Sequence, residues 1–299
     1  MRRLLVLATA GLLLSGCGTE AGTVADDPAP RGPVMSPTAV PAADGPVQTT
    51  YAVTVLDDGD GAELCVGGVA ESLPPQCGGP PITNWDWAEH QGDHEEAAGV
   101  RWGEFHLVGT FDGERFTASQ VTPADEFDPP VEEDPISGTP CPEPDGGWRV
   151  IDPATTTDQT MDQVMAAATR RADYARSWVD QTINPAYPFD GEDAELVAND
   201  PTQLIVNVAV TGDVAGAEAD LRAIWGGALC VSKAEHTDAE LARIQEEVNE
   251  LPGMLSSGRG DGLVGLSVVY DDGSIQAWAD EEYGEGLVKV HSALVPMAG

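Results

Sequence analysis

The fold class follows from residues 203–234, which read QLIVNVAVTGDVAGAEADLRAIWGGALCVSKA. The apolar runs 203–210 and 228–234 have the length and composition of buried strands. Between them, residues 214–225 repeat apolar side chains with the period of a helix. Because a strand–helix–strand order favours parallel pairing of the two strands, this stretch predicts an α+β or α/β fold.

The alternation continues to the end of the chain. Residues 263–270 and 287–295 are predicted strands, and residues 238–251 and 274–283 are predicted helices. Thr237 and Glu240 form a predicted capping box at the start of the first of these helices. We therefore expect residues 188–299 to form an α+β domain in which helices pack on one mixed sheet.

Residues 48–150 have the pattern of a small all-β domain, either a barrel or a sandwich. Short alternating runs at 50–56 and 63–69 are separated by the turn sequence DDGDG at 57–61. The runs 105–111 and 114–121 flank Asp112 and Gly113, which predict a hairpin turn. An antiparallel arrangement of short strands follows from this spacing.

A linking helix is predicted between the two domains, within residues 151–187. Apolar residues recur at spacings of three and four over 160–181, which is the period of an amphipathic helix. They are Met161, Val164, Met165, Ala168, Ala172, Ala175 and Trp178. The helix is expected to stop before Pro185, which cannot continue it.

The first 17 residues, MRRLLVLATAGLLLSGC, have the outline of a signal peptide: two arginines and then an apolar run too short to span a membrane. The ending at Cys17 resembles a bacterial lipobox, which predicts that Cys17 carries a diacylglycerol and binds the lipid bilayer. The alternative is an ordinary cleaved signal peptide in which Cys17 is incidental. Residues 18–47, rich in proline, alanine and aspartate, are predicted to form a disordered tether.

The charge of the chain limits its partners. It has 51 acidic and 14 basic residues, giving a formal net charge of −37, and its only lysines are Lys233 and Lys289. Such a surface repels phosphate backbones. We expect no nucleic-acid partner, while an envelope protein or a cell-wall ligand is compatible with the composition.

Four cysteines remain besides Cys17, namely Cys65, Cys77, Cys141 and Cys230. An even number in an oxidising compartment predicts disulfide bonds. Spacing favours Cys65 with Cys77, and elimination then pairs Cys141 with Cys230. The cysteines lack the short spacing of a zinc site or of a redox dithiol.

A resemblance to known proteins also supports an extracytoplasmic lipoprotein. The segments LCVGGVAESLPPQCGGPPITNWDW (64–87), GTFDGERFT (109–117), WGGALCVS (225–232) and SVVYDDGSIQA (267–277) are similar to those of uncharacterised lipoproteins of high-GC Gram-positive bacteria. The resemblance implies lipoprotein status and a shared domain organisation. It implies no activity and no catalytic residues.

Two pairs of side chains are candidate sites. Trp85 and Trp87 are two positions apart, so they are expected either to join the core or to form a stacking platform for a ligand. His90 and His94 form an HxxxH sequence, but Gln91 stands where a zinc protease has glutamate. A solvated loop is the alternative to a metal site there.

The sequence thus predicts a membrane-anchored extracytoplasmic lipoprotein with a non-enzymatic binding role in the cell envelope. No cofactor and no catalytic residue is predicted. One alternative is an envelope-directed hydrolase, with scattered carboxylates or a metal on His90 and His94. The other is an accessory module that assists or restrains a secreted protein.

Overall fold

The computed structural model of the chain describes residues 35–129, 138–189, 197–198 and 200–297. The predicted signal peptide with Cys17, and residues 18–34 of the predicted tether, lie outside the described residues. The predicted disorder is wrong for the end of the tether, because Val40 and Ala43 pack against a buried core cluster and Val47 begins a strand. The described residues form a mixed α+β structure with four α-helices, one antiparallel sheet and two mixed sheets. None of these helices is both long enough and apolar enough to cross a membrane.

The strands of the described residues form three sheets. The first sheet contains β1 (Val47–Thr49), β2 (Val53–Asp57), β3 (Ala62–Cys65), β4 (Glu95–Ala97), β5 (Val100–Phe111), β6 (Phe116–Pro123) and β13 (Leu294–Pro296). The second contains β7 (Tyr174–Asp180), β8 (Ile205–Val210) and β9 (Ala228–Lys233), and the third contains β10 (Met254–Gly260), β11 (Leu263–Val268) and β12 (Val288–Ser292). The helices are α1 (Asp158–Thr169), α2 (Val214–Arg222), α3 (Asp238–Val248) and α4 (Ser274–Tyr283).

The long strand β5 organises the first sheet. Its first half pairs with β2 and β4, and its second half pairs with β1 and β6. The hairpin predicted at Asp112 and Gly113 is confirmed, because Phe111 pairs with Phe116 across it. Residues 80–82 add hydrogen bonds from β3 to β6: Leu64 N–H donates to the Pro80 carbonyl at 2.9 Å, and Phe116 N–H donates to the Pro81 carbonyl at 3.0 Å.

The predicted linking helix is only half right. Helix α1 begins on a Thr157 cap and ends at Thr169, and the chain then forms strand β7. Thus Ala172, Ala175 and Trp178, which fitted the helical period, do not extend the helix. The reason is tertiary: aromatic and β-branched residues at 174–180 suit a strand, and β7 finds an antiparallel partner in β8.

Two successive units follow, and they have the same element order of helix, strand, strand, helix, strand. The first unit, residues 157–233, contains α1, β7, β8, α2 and β9; the second unit, residues 237–292, contains α3, β10, β11, α4 and β12. In each, the first two strands are antiparallel and the last two are parallel. Each also has a register shift at the same place, at Tyr174/Arg176 and at Met254/Ser256.

This arrangement corrects one expectation and confirms two. The prediction of a single mixed sheet is wrong, because each unit has a three-stranded sheet of its own. The predicted parallel neighbours are confirmed by the pairs β8–β9 and β11–β12. The capping box of Thr237 and Glu240 is confirmed at the start of α3.

Each unit buries one face of its sheet under its own helices. In the first unit, Val206, Val208 and Leu221 belong to one buried cluster, and in the second, Leu266 and Ile244 belong to another. The chain then returns to the first sheet, where β13 pairs antiparallel with β1. The last strand of the described residues is therefore part of the sheet that the first strand begins.

Candidate functional site

The two predicted tryptophans lie beside the core of the first sheet. Trp87 is buried, with 6% of its surface exposed, and Trp85 packs against the same cluster. Their ring centroids are 5.3 Å apart in an edge-to-face arrangement, and Trp85 also meets Phe105 edge-on at 5.1 Å. These positions favour the core alternative for the pair over an open stacking platform.

The two predicted histidines complete this aromatic cluster. The His90 ring stacks on Trp85 with centroids 4.4 Å apart, and the His94 ring lies 4.9 Å from Trp87. His94 Nδ1 is 2.8 Å from the carbonyl oxygen of His90. Within the described part of the chain, no group of three or more His, Cys, Asp or Glu side chains is arranged to hold a metal ion. Both imidazoles are engaged in packing contacts.

Asp57 fixes the buried end of this cluster. Its Oδ2 accepts a hydrogen bond from Trp87 Nε1 at 2.9 Å and an ion-pair hydrogen bond from Arg101 Nη2 at 2.8 Å. Burial alone would raise the pKa of Asp57, but the hydrogen bonds from Gly59 and Trp87 and the charge of Arg101 outweigh it and lower that pKa. The carboxylate is therefore a structural element that holds the loop 57–61 and the Trp87 ring together.

Both predicted disulfide pairs are confirmed. Cys65 is bonded to Cys77, closing the proline-rich loop after β3. Cys141 is bonded to Cys230 in the middle of β9, and the two cysteines are 89 positions apart in the sequence. Two disulfides are consistent with an extracytoplasmic protein.

The second disulfide fixes a covering layer over the first unit. Residues 138–150, here called the cover segment, lie on the face of the second sheet that points away from α1 and α2. Cys141 and Trp148 pack there against Ile205, Ala228 and Cys230. Thr139 adds two hydrogen bonds to Asp180 Oδ2, from its N–H at 2.9 Å and its hydroxyl at 2.7 Å.

The corresponding face of the second unit has a different surface, and we call it the sheet groove. Strand pairing arranges its floor in three rows of three residues. The first row is Gly260 and Leu263, continued by Leu287, the residue directly before β12. The others are Gly258, Gly265 and Lys289, and Ser256, Ser267 and His291. The opposite faces of these strands, with Val264 and Leu266, belong to the buried core.

Row by row, the floor matches the covered face of the first unit. The rows there are Asp180, Ile205 and Ala228; Trp178, Asn207 and Cys230; and Arg176, Ala209 and Ser232. Asn207 and Cys230 are buried, whereas Lys289 and His291 are exposed. The second unit therefore presents polar and small side chains where the first unit is covered.

A cavity lies at each end of the sheet groove. At the Leu263 and Leu287 end, a cavity of about 450 Å³ is walled by Arg176 and Trp178 of the first unit. At the other end, a cavity of about 470 Å³ is bounded by the Ser256, Ser267 and His291 row. Its other wall comes from β2 and from the segments that follow β1 and β3, namely Thr50, Tyr51, Val53, Val66, Gly67 and Gly68.

The middle row leaves the backbone bare. A Cβ atom added at Gly258 would meet no atom within 4 Å, and one added at Gly265 would be 3.9 Å from the Gly258 carbonyl oxygen. The equivalent of Gly258 in the first unit is Trp178, whose ring lies 4.1 Å from the guanidinium carbon of Arg176. The sheet groove is thus open at the position where the second sheet has Trp178.

Both lysines of this acidic chain border the groove. Lys289 stands in its middle row and has no ion pair among the residues that the structure describes. Lys233 lines the cavity near Trp178 and donates to the carbonyls of Thr211 and Gly212. Arg176, at the same end, is paired with Asp261. Lys289 is therefore an available cation on the groove floor.

Comparison with known proteins adds no relative: no family model, no curated protein and no solved structure matches this chain.

Sequence reasoning missed the groove, although two signals of the repeat exist. Thr157-Asp158 and Thr237-Asp238 begin corresponding helices, and WGGALCVS (225–232) resembles YGEGLVKVHS (283–292). Aligning these would have placed Lys289 opposite Cys230 and revealed that only one unit has a disulfide-bonded cover. Neither signal is visible to a search for catalytic or metal-binding patterns.

Proposed function

We propose that this protein is an extracytoplasmic lipoprotein, anchored through Cys17, that binds a component of the bacterial cell envelope without catalysing a reaction. The lipobox-like sequence before Cys17 and the two disulfides support the location. The acidic tether would then hold the folded body away from the membrane.

The first sheet serves in this proposal as the rigid base of the binding site. We propose that it closes into a small barrel, because residues 80–82 hydrogen-bond to β3 on one side and to β6 on the other. Phe105, Phe116 and Leu64 fill its interior and are fully buried. A packed barrel of this size gives Tyr51 and the loop 66–68 a fixed position at the end of the groove.

The observation that carries the proposal is the open floor of the sheet groove. Its equivalent in the first unit is covered by a disulfide-bonded segment, whereas Gly258, Gly265 and Lys289 are left accessible. An accessible floor with a cavity at either end, small side chains and one available cation is suited to a ligand that lies along the strands.

Retention on envelopes tests this function. The full chain carrying Cys17→Ser, which removes the proposed lipid anchor, is incubated at physiological salt with isolated envelopes of a high-GC Gram-positive bacterium. We expect saturable retention that Gly258→Trp abolishes, because the indole fills the middle of the groove. The matched control is Gly45→Trp, at an exposed glycine on which a Cβ also meets nothing within 4 Å. The proposal would be refuted if the Gly258→Trp and Gly45→Trp variants were retained equally. It would also be refuted if the Cys17→Ser protein with Gly258 unchanged were not retained.

A further inference from the structure

The chain itself shows what covers a sheet face of this kind. In the first unit, the cover segment turns at residues 144–147 and lies over the Asp180, Ile205, Ala228 and Cys230 part of the face. A tryptophan, a cysteine and a threonine make its contacts. Trp148 and Cys141 pack on Ile205, Ala228 and Cys230. The equivalents in the sheet groove are Leu263, Leu287 and Lys289.

We propose that the sheet groove binds a peptide segment of a partner protein, one that places an aromatic or large apolar side chain over Leu263 and Leu287 and a carboxylate beside Lys289. This proposal rests on the proposed function and specifies its ligand. The partner segment takes the place on the second unit that the cover segment takes on the first.

The apolar part of the ligand follows from the first row. Leu263 and Leu287 are partly exposed and line the cavity of about 450 Å³, which has room for a large side chain. In the first unit the same row, Ile205 and Ala228, is buried beneath Cys141 and Trp148. Covering the exposed parts of these two leucines with an aromatic ring removes apolar surface from water, which is the main driving force available here.

The charged part follows from the second row. Lys289 replaces Cys230, so the covalent bond of the first unit has a cation in its place in the second. Positions in neighbouring rows that share a face are two residues apart, which is about 7 Å along a strand. A carboxylate therefore fits when it is about that distance from the apolar side chain.

The third row sets the length and adds hydroxyl groups. From Gly260 to Ser256 the floor spans about 13 Å, which four or five extended residues cover. Ser256 and Ser267 offer hydroxyls, and Tyr51 stands at that end. A short peptide reaches from one cavity to the other.

A peptide with few charges fits this surface better than a polyanion. The chain has a formal net charge of −37, and Glu235, Glu285 and Asp261 line the cavity near Leu287. A polymer with a charge on every repeat would be repelled by this field. One carboxylate at Lys289 gains a local ion pair, and the more distant acids are screened beyond about 8 Å at physiological salt.

The test uses peptides derived from the cover segment. The probe is a fluorescently labelled peptide of residues 139–149, TPCPEPDGGWR, with Cys141→Asp, so that a carboxylate replaces the bridged thiol. One control probe carries Cys141→Asn and another carries Trp148→Ala. Anisotropy is measured against the full chain with Cys17→Ser and with its disulfides intact.

We expect saturable binding of the probe with a Kd below about 1 mM, and binding weakened about tenfold for each control probe. On the protein, Gly258→Trp should abolish binding, and Lys289→Glu should weaken it by about tenfold or more. Gly45→Trp and Arg115→Glu, which repeat the added bulk and the charge change outside the groove, should leave it unchanged. Thermal melting of every variant identifies any that fail to fold. Lys289→Glu is the variant least expected to misfold, because Lys289 is exposed on the surface.

The outcomes separate the two proposals. Envelope retention that Gly258→Trp abolishes, with no binding of the probe, would overturn the peptide ligand and leave the binding function standing. Displacement of the protein from envelopes by inorganic polyphosphate but not by the probe would identify a polyanion and also overturn the peptide. Probe binding that is equal for Gly258→Trp and wild type would place the peptide elsewhere and refute the groove as its site.

Discussion

Thr157 and Thr237, eighty positions apart, cap their helices in the same way. Each hydroxyl accepts a hydrogen bond at 3.2 Å from the backbone N–H three positions later, of Thr160 and of Glu240. The side-chain oxygen of that third residue in turn accepts a hydrogen bond from the capping threonine's N–H, at 3.0 Å and at 2.7 Å. The two units therefore begin with equivalent capping boxes as well as equivalent topology.

Removing either cap should destabilise the protein to a similar extent. We expect Thr157→Ala and Thr237→Ala each to lower the free energy of unfolding by about 1 kcal/mol, because the backbone N–H of Thr160 or of Glu240 loses its acceptor at the helix start. Urea denaturation measures this. Substitution to Ser, which keeps the hydroxyl, is the control and should cost much less. A loss for only one of the two helices would show that the caps are not energetically equivalent.

Breaking the bond between Cys141 and Cys230 should cost more than breaking the bond between Cys65 and Cys77. The first closes a sequence separation of 89 residues and the second closes one of 12. On the chain-entropy model these correspond to about 4.5 and about 3 kcal/mol. Thermal unfolding of the two double-serine variants measures the difference. Release of the cover segment should also expose Ile205 and Ala228, so a dye that binds apolar surface should respond only to the Cys141/Cys230 variant.

Asp57 should make a pH-dependent contribution to stability. Its pKa is lowered on folding, so the contribution is fully present above about 3.9, the value of an unfolded aspartate, and is lost as the pH falls through the lower folded pKa. We expect Asp57→Asn to cost about 1–3 kcal/mol at pH 7 and progressively less below about pH 4. Urea unfolding at several pH values measures it, with the exposed neighbour Asp58→Asn as control. A cost that is the same at pH 7 and pH 3 would contradict the assignment.

The histidine pair separates binding from metal-dependent hydrolysis. His90→Ala with His94→Ala removes two rings that pack on Trp85 and Trp87, so we expect a modest loss of stability of about 0.5–1.5 kcal/mol for each ring. Envelope retention should be unchanged, since neither residue lines the groove cavities. An envelope-hydrolysing activity that depends on added zinc and disappears in this variant would favour the hydrolase alternative.

Membrane attachment should depend on Cys17. In cells that produce the whole chain, we expect the wild-type protein in the membrane fraction and Cys17→Ser in the soluble extracytoplasmic fraction, because loss of the thiol removes the acyl chains. Mass spectrometry of the N-terminal peptide gives a second reading. A wild-type N-terminal peptide without lipid would indicate an ordinary cleaved signal peptide.

Local signals in the sequence predicted what local interactions decide. The Thr237 capping box, the Asp112–Gly113 hairpin and the strands around α2 each depend on residues close in the chain, and they form as expected. The helix prediction failed for residues 174–180 because the spacing of their alanine and tryptophan fits a helix. Their partner strand β8 begins 25 residues after β7 ends, so local sequence does not reveal the pairing. Propensity gives way there to pairing with a distant strand.

The sheet groove was not predicted from the sequence for a related reason. The run 263–270 reads as a strand from its sequence, but nothing in it tells which face is covered. That depends on whether a distant segment crosses the sheet, as residues 138–150 do in the first unit only. The repeat in the sequence can align Lys289 with Cys230, but only the register of the two sheets shows that both residues lie in the middle row of equivalent faces.

The pairing of β1 with β13 sets how the protein would carry tension. If the chain is held at Cys17 and a ligand pulls on the sheet groove, one force reaches the β1–β13 pair through the start of β1. The other force reaches it through β12, which is joined to the start of β13 by Ala293 alone. Val47 pairs with Pro296 and Thr49 with Leu294, so the two pulls act at opposite ends of an antiparallel ladder. Such a ladder is loaded in shear, with its hydrogen bonds strained together rather than opened one after another. The backbone bonds from Thr50 to Ala293 and from Met297 to Pro46 extend it at both ends.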